Sequence, residues 1–188
     1  MTIVDNGVPL RKICFTGVRG VGKSTLLREI DKGDLDMCFT SGSGILQEMM
    51  GDEYSHFEYL PEYKKYVYRL RVRDTLQKIQ EQHGKDLLVD SHLTVYNLKT
   101  GNIDLIFTHM DYGFYTDIIL LDSTPERVYT YRVRDTSKKR IIDKELIHKE
   151  LEFEKQEAMR ISAECGLRLH IIEMNNTATE NMMSILRG

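Results

Sequence analysis

The chain has 188 residues, of which 41% are hydrophobic and 29% charged, proportions that suit one soluble globular domain with a full-sized core. Its 26 basic and 29 acidic side chains leave a net charge of −3, so there is no overall basic field for nucleic acid. The three cysteines (Cys14, Cys38 and Cys165) lack metal-ligand spacing and read as thiols in a reducing compartment. With no signal peptide and only strand-sized apolar runs, a cytoplasmic protein without membrane contact is expected.

Met1 to Pro9 is polar and holds the turn-prone Asp5-Asn6-Gly7, so residues 1–10 are expected as a flexible tail ahead of a single domain over 11–188. Short apolar runs then alternate with longer helical patterns. Strands are expected at Lys12–Thr16, Leu35–Thr40, Asp86–Asp90, Asp117–Asp122 and Arg168–Glu173. Helices are expected to begin at Gly22, near Ser43, at Pro61, at Thr124 or Pro125, near Asp143 and near Thr177. Within Pro61–His83, Tyr63, Tyr66, Val67 and Leu70 fall at helical spacing, while Arg69, Arg71 and Arg73 read as a solvated face. This alternation implies right-handed crossovers and an α/β fold, a five-stranded parallel sheet with helices on both faces. The segment Thr94–Tyr115, with its Lys99-Thr100-Gly101-Asn102 turn, fits either a hairpin or a long functional loop.

The most informative string lies between the first strand and the first helix. Gly17, four residues, then Gly22-Lys23-Ser24 make the G-x-x-x-x-G-K-S pattern of a phosphate-binding loop. Glycines let the loop bend so that successive backbone N–H groups face an anion, and the new helix adds its positive end. Gly17, Gly20, Val21, Gly22, Lys23, Ser24 and Thr25 are therefore the expected nucleotide-binding residues. Lys23 reaches the outer phosphates and Ser24 holds Mg²⁺.

In an open parallel sheet, ligands sit beyond the carboxyl ends of the strands. Asp90 ends the apolar strand Leu87-Leu88-Val89 and is the best metal-side carboxylate; Asp122 ends a similar run but serves equally well as a helix cap. His92, two residues past Asp90, reads as an acceptor contact or a hydrogen-bonding structural residue. Arg132, Arg134 and Arg140 lie in a basic stretch between two helical segments. They read either as a solvated face or as a mobile loop that closes over ATP and neutralises transition-state charge.

With these parts in place, the chain resembles the archaeal-type adenylate kinase family of P-loop kinases from Arg11 to about Glu173. Thr16-Gly-Val-Arg-Gly-Val-Gly-Lys-Ser-Thr25 is similar to that family's phosphate loop, with Arg19 where proline is usual. Val89-Asp90-Ser91-His92 is similar to its V-D-T-H, and Arg132-Val-Arg-Asp-Thr136 with the basic residues through Arg140 resembles its lid. The resemblance implies a three-layer P-loop NTPase fold with an acceptor-binding helical region over about 41–83 and a small lid over about 132–143. It also implies Asp90 acting on Mg²⁺ through water, lid arginines on ATP, and Asn176 near adenine. The departures fall on the acceptor side: Glu58 stands near an expected arginine, and Lys155 lies close to another.

These readings converge on an ATP-dependent phosphotransferase with Lys23, Arg134, Arg140 and Asp90 as catalytic residues. Its cofactors are ATP and Mg²⁺, and its acceptor is a small molecule, AMP or another nucleoside monophosphate by default. The alternative is a regulatory or assembly ATPase acting on a protein or RNA partner. A GTPase switch lacks its N-K-x-D string.

Overall fold

The computed structural model describes residues 4–5, 8–30, 32–135 and 140–188. In chain order these form β1 (Val4–Asp5), β2 (Val8–Pro9), β3 (Lys12–Thr16), α1 (Lys23–Glu29), β4 (Met37–Ser41), α2 (Gly42–Met50), a 3-10 helix (Gly51–Tyr59), α3 (Glu62–His83), β5 (Asp86–Asp90), β6 (Thr94–Tyr96), β7 (Ile103–Leu105), β8 (Asp117–Asp122), α4 (Pro125–Arg134), α5 (Lys144–Cys165), β9 (Arg168–Glu173) and α6 (Ala178–Arg187). Five of the strands form one parallel sheet in the order β4-β5-β3-β8-β9, the expected architecture.

Side chains alternate across the sheet. Ile13, Phe15, Leu88, Ile119 and Leu121 face one layer, with Leu26 of α1 and Met182 of α6. Cys14, Leu87, Val89, Ile118 and Leu120 face the other, with Ile45 of α2, Leu76 of α3 and Ala158 and Ile161 of α5. Because both faces are covered, the strands read as continuous apolar runs, which is why their positions were legible. No helix among the described residues is long and apolar enough to cross a membrane.

Several boundaries move for identifiable reasons. Leu35 is buried but precedes β4, which starts at Met37 after a 3-10 turn over Lys32–Asp34; Leu35 packs into the core from a loop. At the other end β4 takes in Ser41, whose backbone is in register with Asp90 and whose hydroxyl accepts from Gly44 N to cap α2. Pro61 precedes α3 rather than opening it, and the 3-10 helix at Gly51–Tyr59 has no counterpart in the expected elements. Thr94–Tyr115 takes the hairpin alternative at its start: β6 and β7 pair antiparallel around a turn where Gly101 has φ 73°, and Asn97 Oδ1 accepts from Lys99 N and Thr100 N. In the tail, β1 and β2 pair antiparallel on either side of positions 6 and 7, so it is not wholly irregular. Residues 1–3, 6–7, 31 and 136–139 lie outside the described residues, and with them part of the expected tail and the middle of the expected lid.

The base of the sheet is tied by Arg11. Its backbone N and Nε donate to the Asp86 carboxylate at 2.7 and 2.6 Å, and its guanidinium also donates to the carbonyls of Ile185 and Leu186 in α6. Arg11→Ala is expected to lower unfolding stability by about 2 kcal/mol, since charge-assisted bonds are lost at a partly buried site. Nucleotide affinity should stay within twofold. Urea melts and an ATP-analogue titration of the same variant check both statements.

Candidate functional site

The site is built where the chain leaves β3. Gly17 has φ 147°, and a Cβ there would lie 2.7 Å from the Leu121 carbonyl of β8, so only glycine lets the loop pass that strand end. Gly22, with φ 114°, forms the left-handed entry to α1 beneath the Met174 thioether. Val21 is buried in the core, whereas Ser24 is exposed at the helix start.

Lys23 is folded into the loop and 93% buried. Its ammonium donates to Gly17 O at 2.9 Å and lies 3.7 Å from the Asp90 carboxylate. Burial lowers its pKa, and the Asp90 charge opposes that. Asp90 is half-buried between Ser41 and Phe15 in register.

His92 completes the cluster. Its Nδ1 lies 2.7 Å from Gly17 O and 3.2 Å from Lys23 Nζ. At that distance from a carbonyl Nδ1 must carry the proton, so Gly17 O accepts from both His92 and Lys23, and Nε2 is the ring's acceptor. Burial pushes the His92 pKa well below its ordinary 6.5, and the positive Lys23 and Arg19 push it the same way. A neutral ring is therefore built into the site.

The lid-side arginines divide. Arg132, only 4% exposed, donates from Nε to Arg19 O at 3.0 Å and from Nη1 to Ile141 O at 3.2 Å. Its Nη1 also forms an ion pair with buried Glu150 Oε2 at 2.7 Å, and Nη2 is buried with no hydrogen-bond partner among the described residues. Arg132 is thus a strut between the phosphate loop and α5 as well as a candidate phosphate ligand. Arg140 pairs with Asp135 at 3.0 Å, while Arg134 is exposed at the end of α4. A Cβ on Gly20 would stand 3.0 Å from Arg132 Cγ and 3.7 Å from an Arg140 Nη, so both arginines close on that glycine. Thr136 to Lys139 of the same stretch lie outside the described residues.

Other sequence candidates are placed apart from this cluster. Asp122 accepts from Ser123 N at 2.9 Å and pairs with Lys155 at 2.8 Å, the strand-end turn alternative with an added ion pair. Asn176 is exposed on the turn after β9, where Asn175 Oδ1 accepts from Thr177 N and Oγ1. Of the three α3 arginines only Arg71 is on the solvated face; Arg69 and Arg73 are each 31% exposed at the side chain. The cysteines are free, and burial raises the pKa of each thiol.

Two features were missed by sequence reasoning. Glu154 of α5 is 1% exposed and accepts from Thr16 Oγ1, Leu93 N, Thr94 N and Thr94 Oγ1. One carboxylate thereby holds the end of β3, the loop carrying His92, and the start of the hairpin. The signal was available: Glu150 and Glu154 interrupt a helical stripe of Ile147, Leu151, Ala158 and Ile161. The second feature is an ion pair at 3.0 Å between Arg19 and Glu58, two residues that each depart from the resembled family's pattern.

A phosphate loop at the central strand of a parallel sheet in this order, with a carboxylate at the adjacent strand end, defines a P-loop kinase-type nucleotide-binding domain. The model of the AAA domain family AAA_17 matches residues 16–148, most of the chain, and the chain belongs to that family. Among solved structures, shikimate kinase from Acinetobacter baumannii in complex with shikimate is similar with TM-score 0.56 and 16% identity, over 95% of this chain and 92% of that one. Shikimate kinase from Bacteroides thetaiotaomicron is similar with TM-score 0.50 and 14% identity, over 94% and 96%. At these identities the likeness is one of fold. No match was found among curated protein sequences.

Two outcomes follow from the geometry. Because the folded-state pKa of His92 is depressed, the unfolded chain takes up its proton first as pH falls. Stability is therefore full above about 6.5 and declines below it, by at most about 1.4 kcal/mol per pH unit. Urea midpoints from pH 7.5 to 5 should fall less steeply for His92→Asn than for the wild type; parallel slopes would contradict this. Glu154→Gln places an amide where the carboxylate meets only donors, and should cost on the order of 2 kcal/mol of unfolding stability by denaturant melts.

Proposed function

We propose that this chain is an ATP-dependent phosphotransferase that moves the γ-phosphoryl of Mg·ATP to a small acceptor. The observation that carries the proposal is the convergence on the phosphate loop of Lys23, Asp90 and the arginines at Gly20. Family membership and the fold support nucleotide binding. The lid-side approach favours transfer over simple hydrolysis, because phosphoryl transfer to a chosen acceptor needs positive groups around the phosphate and exclusion of water.

In this reading Gly17 to Thr25 cradle the phosphates, with Gly20, Val21 and Gly22 supplying backbone N–H groups. Lys23 exchanges its Gly17 carbonyl for phosphate oxygen and stabilises charge there. Arg132 Nη2, which meets no partner among the described residues, is suited to a phosphate oxygen, and Arg134 and Arg140 add charge from the lid. The exposed Ser24 hydroxyl and the Asp90 carboxylate are hard oxygen donors that fit Mg²⁺, Ser24 directly and Asp90 through water. Bound Mg²⁺ would neutralise charge on the phosphates. Neutral His92 offers Nε2 to an acceptor hydroxyl, and Asn176 is assigned to the adenine side. Positioning and electrostatics suffice without a covalent intermediate.

A nucleoside monophosphate is the default acceptor. A hydroxyl-bearing acid is the second class, since one structural neighbour holds shikimate. ADP formation should be measured with ATP, Mg²⁺ and a panel of AMP, CMP, nucleosides and shikimate. Acceptor-dependent ADP supports the kinase; acceptor-independent hydrolysis raised by RNA or protein supports the regulatory ATPase instead. Lys23→Ala should lower turnover on the order of a hundredfold or more, and Arg134→Ala should lose turnover while keeping ATP affinity. Full activity in the first variant would sink the proposal.

A further inference from the structure

The phosphate loop carries a charge that its backbone geometry does not require. Val21 N donates to Val18 O at 3.2 Å, closing a turn with Arg19 and Gly20 at its corners. Gly20 has φ 86°, the positive value that the second corner of a type II turn demands, whereas the first corner accepts most residues. Val18 and Val21 are buried, so the turn rests on the core and Arg19 stands exposed on its outer corner. The backbone there is tied down: Arg19 O accepts from Arg132 Nε at 3.0 Å, and Arg132 pairs with buried Glu150. Movement at this position therefore falls to the side chain.

Two observations put the Arg19 guanidinium at the mouth of the site. Nη2 donates to Glu58 Oε1 at 3.0 Å, so the side chain leans from the loop toward the 3-10 helix on the acceptor side. The same charge is felt by His92, whose pKa is lowered first by burial, then by Lys23, then by Arg19. His92 Nδ1 lies 3.2 Å from Lys23 Nζ, so one loop brings two cations to bear on this ring. Lys23 belongs to the outer phosphates, and Arg19 spans the gap from there to the acceptor side.

The bond to Glu58 is easily exchanged. The two side chains are 45% and 51% exposed, and so wet an ion pair contributes little. It engages one nitrogen of a guanidinium that donates from three. A phosphoryl group in transit spreads its charge over three oxygens, a better partner for that fork than one solvated carboxylate.

We infer that Arg19 is a further catalytic residue, a cation carried by the phosphate loop that leaves Glu58 to contact the phosphoryl group as it passes to the acceptor. The acceptor oxygen bonds to the γ-phosphorus, and the bridging oxygen departs with its electron pair on ADP. Where the acceptor is a hydroxyl, its proton goes to Nε2 of neutral His92. Arg19 keeps its protons throughout and donates hydrogen bonds to the equatorial oxygens. Glu58 is the resting partner that neutralises the guanidinium before the nucleotide arrives. This assignment rests on the phosphotransferase reading. A merely structural clamp would make Arg19 and Glu58 equivalent, since loss of either ends the pair.

The test is binding of Mg·ADP to the full chain with and without aluminium fluoride, a planar mimic of the phosphoryl group in transit. Wild type should hold ADP about tenfold tighter or more when the fluoride is present. Arg19→Ala should lose most of that gain while its affinity for ADP alone stays within about twofold, and Arg19→Lys should recover part of it. Glu58→Gln should keep the whole gain, because it removes the resting partner alone. Urea midpoints of Arg19→Ala and Glu58→Gln should match that of the wild type, which shows that both fold. Equal loss of the gain in the two variants identifies a structural clamp and overturns the inference, as does an undiminished gain in Arg19→Ala; either leaves the phosphotransferase reading standing. A wild type with no gain overturns both, and acceptor-dependent ADP formation reports on that reading separately.

Discussion

One buried carboxylate sets the geometry of the site. Glu154 gathers donors from Thr16, Leu93 and Thr94, the residues immediately before the phosphate loop and immediately after His92. A carboxylate at 1% exposure is tolerable because every contact made to it comes from a donor. One end of the segment that carries Gly17 and one end of the segment that carries His92 are thereby fixed to α5. The short His92 contact with Gly17 O depends on that fixing, while burial and the nearby Lys23 charge keep the ring neutral against the pull of that bond.

The acceptor side is organised by compensation. Arg19 and Glu58 each look anomalous alone, one a cation in the phosphate loop and the other an anion where a cation is expected. As a pair they bridge the loop to the end of the 3-10 helix and largely cancel. Lys99, at the hairpin turn, reaches the next residue, with its ammonium 4.7 Å from the Tyr59 ring centroid and 3.4 Å from its carbonyl. Exposed contacts of this kind add little stability. Their effect is placement: the 3-10 helix is held between the phosphate loop and the hairpin.

The sheet was legible because parallel strands buried on both faces must be apolar throughout, as in Leu87-Leu88-Val89 and Ile118 to Leu121. The phosphate loop was legible because its glycines answer to local backbone demands, seen in the Gly17 approach to Leu121 O. Long-range pairing left weaker marks. Nothing local to Arg19 announces Glu58, 39 residues away, and nothing local to Thr16 announces Glu154. The partial burial of Arg69 and Arg73 was hidden for the same reason: alternating charge and apolarity describe a solvated face equally well until the helix is docked.

Glu150 and Glu154 stand one turn apart on α5, and this spacing carries the last constraint. Glu150 meets Arg132, which reaches the phosphate loop through Arg19 O; Glu154 meets the strand end beneath the same loop. A single rigid helix therefore holds the loop from above and below. An arginine fastened in this way cannot swing as a free lid residue, so Arg132 and Arg134 are not equivalent despite their nearness in sequence. Arg132 is positioned in advance, with one nitrogen that meets no partner among the described residues, whereas Arg134 stands exposed at the end of α4. Held by α5, the charge of Arg132 already stands beside the phosphate loop, and that is preorganisation in place before any ligand arrives.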